Sequence, residues 1–193
     1  MKDSNAVKNI LKNDLSFFSS QIKVFIEELK IKNEIAYKKN PLVQKSIREN
    51  LIQIAESSLI SNAKRIRPLF CYWILRSFSN NKENTDSNLL KVTQIALAIE
   101  ILHNASLIID DIEDGSLERR QKNALHVQYG MPNALNAGSW MYFLALNSLP
   151  NELQAFASDA ILDCHVGQAI DLNSCEKKFS HEFFFSNSKE RWN

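Results

Sequence analysis

Apolar side chains along this chain recur at intervals of three and four residues and rarely alternate, so the elements they predict are helices. Leu11, Leu15, Phe18, Ile22, Phe25, Ile26 and Leu29 fall on one stripe of a first amphipathic helix, with Lys and Glu on its other side. That stripe suits a core or a dimer surface. Lys38-Lys39-Asn40-Pro41 breaks the pattern, and Leu42 to about Leu59 predicts a second helix. Asn80 to Asn88, rich in Asn, Ser, Lys and Asp, predicts a solvated loop. From Leu89 to Ile112 the residues Ile95, Ala98, Ile99, Leu102, Leu107, Ile108 and Ile109 keep helical spacing without a Gly or Pro between them. Only 4 Gly and 4 Pro occur in 193 residues, which points to long uninterrupted helices and an all-α fold.

The longest helix closes on Asp110-Asp111-Ile112-Glu113-Asp114, and that ending gives the picture its first chemistry. Asp110 and Asp114 stand one turn apart on one face, with Asp111 at the edge of that face. Gly115 suits a helix stop, so the acids occupy the last turn. Negative charge is unfavourable there, because the carbonyl end of a helix is already partly negative and clustered carboxylates repel. A divalent cation reverses both costs. Magnesium fits, since it takes few carboxylates and is commonly completed by substrate phosphates. Alone, the motif reads equally well as a solvated acidic helix end.

A basic stretch, Asn62-Ala63-Lys64-Arg65-Ile66-Arg67-Pro68, lies between the second helix and the polar loop. Pro68 suits the first position of a helix, and Arg67 before it is biased away from helical geometry. Lys64 and Arg67 would then supply a point charge and a planar fork where free backbone N–H groups already favour an anion. A basic surface turn is the plainer alternative. Arg119-Arg120, just beyond the acids, would neutralise Asp114 and Glu118 or, beside a metal, hold diphosphate oxygens. His103 precedes Asp110 by two helical turns, roughly 10 Å along the axis.

Net charge is +1, so no overall field draws the chain to nucleic acid. Cys71, Cys164 and Cys175 lack metal-ligand spacing and read as reduced thiols of a cytoplasmic protein. The start, Met1 to Asn5, lacks the apolar core of a signal peptide, and the run Ala134 to Leu149 is short for a membrane span.

Taken together, Lys64 to Pro68, Glu100-Ile101-Leu102-His103, Ser106 to Asp114, Arg119-Arg120, Ala124 to Gly130 and Gly167 to Asp171 resemble the trans-type isoprenyl diphosphate synthases. The form Ser-Leu-Ile-Ile-Asp-Asp-Ile-Glu-Asp is most similar to geranylgeranyl diphosphate synthases. The resemblance implies an isoprenoid-synthase helical bundle, here in part, with the N-terminal helix at residues 1–40, the synthase domain at 41–178 and an unassigned tail at 179–193. It implies Mg2+ as cofactor, held by Asp110 and Asp114 with Asp111 in support. Arg119 would contact the allylic diphosphate, while Lys64, Arg67, His103 and Arg120 would cradle isopentenyl diphosphate. Gln168 and Asp171 match a polar pair on a facing helix. Bulky side chains one turn before the first Asp shorten the product in this family. Ala105 and Ser106 are small, which implies a product of twenty carbons or more, in a shaft that Leu102, Ala105, Ser106 and Ile109 would line.

Three departures stand out. No second Asp-Asp pair follows Asp114, and the family pattern has Gly where this chain has Asn62-Ala63 and Gln121. The expectation is therefore a shortened prenyltransferase, impaired alone. Two alternatives are a non-catalytic partner of a complete synthase and a terpene cyclase, which has no need of a second diphosphate cradle. A homodimer is implied by resemblance.

Overall fold

The computed structural model describes residues 2–60, 63–78 and 86–176, and these are helical apart from one short hairpin and the connecting turns. The tail at 179–193 and the middle of the predicted loop lie outside the described residues, as does Asn62. Helix α1 spans Lys2–Ala36. Asn40 then caps α2 (Pro41–Ile47), its side chain accepting from the Val43 N–H at 3.3 Å, with Pro41 in the first turn where no N–H is needed. The second predicted helix is continuous but not uniform. A π-helical turn, Arg48–Ile52, separates α2 from α3 (Gln53–Leu59). The leading Leu42 is 81% exposed, whereas Ile52, Ile54, Ala55 and Leu59 are buried. Helices α4 (Ile66–Phe78) and α5 (Asp86–Glu113) follow. Then come β1 (Glu118–Arg119), β2 (Lys122–Asn123), α6 (Leu125–Tyr129) and α7 (Met131–Ser148).

These elements form one compact unit ending at Pro150, with α5 at its centre. Helix α5 packs most extensively on α7 and also touches α1, α3, α4 and α6. The α7 face is built from small residues, Ala134, Ala137, Gly138 and Ala145, around Met141. A methyl group at Gly138 would stand 2.9 Å from Ile109 Cδ1, so the missing side chain is what lets the two helices close. Ile22 and Ile26 of α1 and Ala55 and Leu59 of α3 complete that core with Ile101, Ala105 and Ile108. Phe18, Leu69, Tyr72 and Ala96 make a second cluster, in which Phe18 meets the Tyr72 ring edge-on at 5.3 Å. The stripe on α1 is thus core from Leu15 to Leu29, while Leu11 stays exposed.

By length and composition, one helix among the described residues could cross a membrane, and it is α5 from Leu90 to Glu113, not the run at 134–149. That segment also carries the buried polar residues Glu100, Asn104 and Asp111, and α5 packs against more of the unit than any other helix. Cys71 and Cys164 are free thiols, and burial pushes the Cys71 thiol pKa up. Helix α8 (Asn151–Glu176) belongs to a second unit; on it Gln168 is half-buried and Asp171, three residues on, is exposed.

Candidate functional site: an acidic helix end and a cationic cleft

Helix α5 ends as the acids predict. The Asp114 N–H donates to Asp110 O at 2.9 Å and the Ser116 N–H to Asp111 O at 2.9 Å, while Gly115 takes φ +62°. Helical bonding therefore runs through Asp114, and Asp110 and Asp114 are stacked one turn apart. Asp111 turns the other way and is 3% exposed.

Arg119 decides how these acids are balanced. Its Nε donates to both oxygens of Asp111 at 2.7 Å, and its terminal nitrogen lies 2.6 Å from Asp111 Oδ1 and 3.2 Å from Asp110 Oδ2. Arg119 thus pairs with Asp111 and Asp110, and not with the Asp114 and Glu118 that sequence proximity offered. Asp111 is the buried anchor because its carboxylate faces inward, toward the hairpin that carries Arg119. That hairpin turns in two residues, with Arg120 at φ +54° and Gln121 at φ +63°. Tight hairpins with the twist of β-strands demand positive φ at both positions, which is a physical reason for Gly where this chain has Gln121.

The basic stretch is built on a further positive-φ residue. Arg65 takes φ +48°, and α4 opens at Ile66, two residues before the proline. Arg67 therefore lies in the first helical turn, contrary to the sequence expectation. Pro68 is tolerated there because no intrahelical acceptor serves the first N–H groups. The chain thus presents Lys64 and Arg67 outward while the Arg65 side chain turns in. Arg67 donates to His103 Nε2 at 3.0 Å. A guanidinium only donates, so Nε2 is the unprotonated nitrogen. Burial, and then the charges of Arg67, Arg120 and Arg119, hold the His103 pKa below the usual imidazole value. Lys64, Arg65, Arg67, Glu100, His103 and Arg120 line a cleft of about 340 Å³ together with Ala63 and Ile66. Two motifs 36 residues apart, at Arg67 and His103, are thereby one site.

Arg65, Glu100 and Asn104 are the residues that sequence reasoning missed. Glu100 is 2% exposed, and Arg65 approaches its Oε1 at 3.6 Å. Asn104 donates to Glu100 Oε1 at 3.2 Å, and Ser58 donates to Asn104 Oδ1 at 3.3 Å. Burial outweighs the pairing on both charges, drawing the Arg65 pKa down and the Glu100 pKa up. A signal existed: a Glu between Ile99 and Ile101 on a core helix needs a buried counter-charge.

Ala105, expected on the shaft wall, is instead fully buried within the packed core, because it faces the helices that pack on α5; Leu102, Ser106 and Ile109 are half-buried. Ser106 donates to His103 O at 2.9 Å. Among the described residues no three His, Cys, Asp or Glu side chains converge as a ready-made metal cage. Asp110, with 40% of its side chain exposed, and the exposed Asp114 still fit magnesium, which needs only one or two carboxylates when phosphates complete its shell.

The profile of a family described as Polyprenyl synthetase matches residues 48–189. A short chain isoprenyl diphosphate synthase of Methanocaldococcus jannaschii is 33% identical over 132 residues, which are 64% of this chain and 38% of that protein. A geranylgeranyl pyrophosphate synthase of Metarhizium anisopliae is 37% identical over 102 residues, 50% of this chain and 31% of that one. Among solved structures, an isoprenoid synthase family member from Thermotoga neapolitana superposes with a TM-score of 0.59 at 29% identity, covering 68% of this chain and 52% of that one. This chain thus spans about a third to a half of the length of these three proteins. A profile running through the basic turn, the acidic helix end and the hairpin, with an all-α neighbour of the same architecture, places the chain in the polyprenyl synthetase family.

Proposed function

We propose that this chain supplies the isopentenyl-diphosphate cradle and the first acidic motif of a magnesium-dependent prenyltransferase that joins isopentenyl diphosphate to an allylic diphosphate. The observation that carries this reading is the cleft in which Lys64, Arg67 and Arg120 meet His103 of α5, the helix whose C-terminal end exposes Asp110 and Asp114. Lys64 and Arg67 bind the diphosphate oxygens of isopentenyl diphosphate, and His103 orients Arg67. Arg120, which also lines the cleft, closes on the same anion from the hairpin. Arg119, next to it, faces the acids and reaches the allylic diphosphate once that group lies against them.

Asp110 and Asp114 would hold the metal, which when bound offsets the charge building on the departing diphosphate. Leu102, Ser106 and Ile109 present a mostly apolar wall one to two turns before the acids, which excludes water from the allylic carbons. Ser106, small and on that wall, leaves room for a longer chain, so the reading favours a geranylgeranyl-length, twenty-carbon product.

No second Asp-Asp pair follows Asp114, so we expect little turnover from the chain alone. A second reading, a partner subunit that docks on a complete synthase, is favoured by the outward stripe Ile66, Phe70, Trp73 and Ile74 on α4, each at least 39% exposed. Incubating the purified chain with Mg2+, isopentenyl diphosphate and geranyl diphosphate, with and without a complete synthase, separates these. Binding of isopentenyl diphosphate with slow elongation supports the first reading. Altered rate or product length only when both proteins are present supports the second; absence of binding to either diphosphate refutes the first, and a synthase unaffected by the chain refutes the second.

A further inference from the structure

Glu100 is an odd residue to find at the cationic cleft. It is the only acid among the described residues lining it, and a carboxylate there repels the anion the other side chains invite. Direct contact with a diphosphate cannot be its use. Its neighbours suggest another. Arg65 lies between Lys64 and Arg67, and its positive φ sends its side chain inward, where only 8% stays exposed. There it donates to Leu59 O at 3.2 Å, at the end of α3, and faces Glu100 at 3.6 Å.

Glu100 is itself held: Asn104 donates to its carboxylate, and Ser58 of α3 donates to Asn104. Helix α3, the basic turn and α5 are thus tied together directly beneath the cleft. His103, which bonds Arg67, is one turn along α5 from Glu100. We propose that Glu100 and Arg65 are a positioning pair, which fixes the basic turn on α5 so that Lys64, Arg67 and His103 converge on one diphosphate. The inference rests on the cleft reading given above and deepens it.

The pair can be tested because positioning and simple electrostatics differ in sign. Removing a negative charge from beneath an anion site tightens binding if the charge is all that matters. If Glu100 positions the cradle, Glu100→Gln weakens binding despite the gain in net positive charge. The measurement is calorimetric titration of the full chain with isopentenyl diphosphate and with inorganic pyrophosphate, with circular dichroism to establish that each variant is folded.

We expect Glu100→Gln to lose about tenfold in affinity, the scale on which partners that orient binding groups act. The double variant Arg65→Met/Glu100→Leu removes both buried charges, a change that protein interiors often tolerate, and it should show the same loss in a folded protein. In a Lys64→Ala/Arg67→Ala background the further effect of Glu100→Gln should shrink to about twofold or less, because groups that act through one another are not additive. Unchanged or tighter binding by a folded Glu100→Gln or double variant overturns the positioning role. So does an undiminished Glu100→Gln effect in the Lys64→Ala/Arg67→Ala background. A wild-type chain that takes up neither anion overturns the cleft reading itself, a result distinct from wild-type binding with unaltered variants.

Discussion

Asp111 and Asp114 are both acids of one motif, yet the structure gives them opposite consequences for stability. Asp111 is 3% exposed and accepts from Arg119 through both oxygens, at 2.7 Å from Nε and 2.6 Å from the terminal nitrogen. Asp111→Asn keeps the shape and removes the charge, leaving Arg119 with Asp110 alone at 3.2 Å. Breaking a fully buried pair costs about 3–5 kcal/mol. Arg119 keeps 32% of its side chain in solvent, so water recovers part of that cost, and about 2 kcal/mol is the expected loss. Asp114→Asn, at the exposed carbonyl end of α5, removes an unfavourable charge and should stabilise by about 0.3–1 kcal/mol. Urea unfolding followed by circular dichroism resolves both, since about 2 kcal/mol moves the midpoint by roughly 1 M at an ordinary slope for this size. Equal midpoints for the two variants, or an Asp111→Asn midpoint at the wild-type value, would refute the division of the acids into anchor and ligand.

His103 should make stability depend on pH in a defined direction. Its folded pKa lies below the unfolded value of about 6.5, so the unfolded chain takes up a proton first, and stability falls as pH drops from that value toward the folded pKa. Comparing urea midpoints at neutral and mildly acidic pH for wild type and His103→Gln should show a shallower loss in the variant; an identical slope would exclude His103 as the source. Gln121→Gly should stabilise by about 1 kcal/mol, because it relieves a positive-φ residue at an exposed hairpin turn. A melting temperature unchanged or lowered by that substitution would contradict the strain assigned to the turn.

Periodicity made the helices legible, because burial on one face leaves a three-and-four spacing that composition alone does not. The stop at Gly115 and the stacking of Asp110 over Asp114 were readable for the same reason: both follow from helical geometry over a few residues. What the pattern hid was tertiary or conformational. The π-helical turn at Arg48–Ile52 shifts the buried face without any residue type that announces it. The early opening of α4 depends on Arg65 at φ +48°, a conformation that Arg does not advertise. Arg119 was readable as a partner for acids but not for which ones, since that choice depends on how the hairpin folds back on α5. Glu100 and Arg65 stood in motifs already noticed, and only their shared burial reveals them as a pair.

The central claim is that Asp110 and Asp114 hold a metal against an allylic diphosphate while a separate cleft takes isopentenyl diphosphate. Calorimetric titration of geranyl diphosphate and of isopentenyl diphosphate, each with and without Mg2+, into wild type and Asp110→Asn/Asp114→Asn tests it most directly. The account predicts that geranyl diphosphate binds wild type only with Mg2+, that the double variant loses at least about tenfold of that affinity, and that isopentenyl diphosphate binding survives in both. Equal uptake of geranyl diphosphate by both proteins, indifferent to Mg2+, would contradict it.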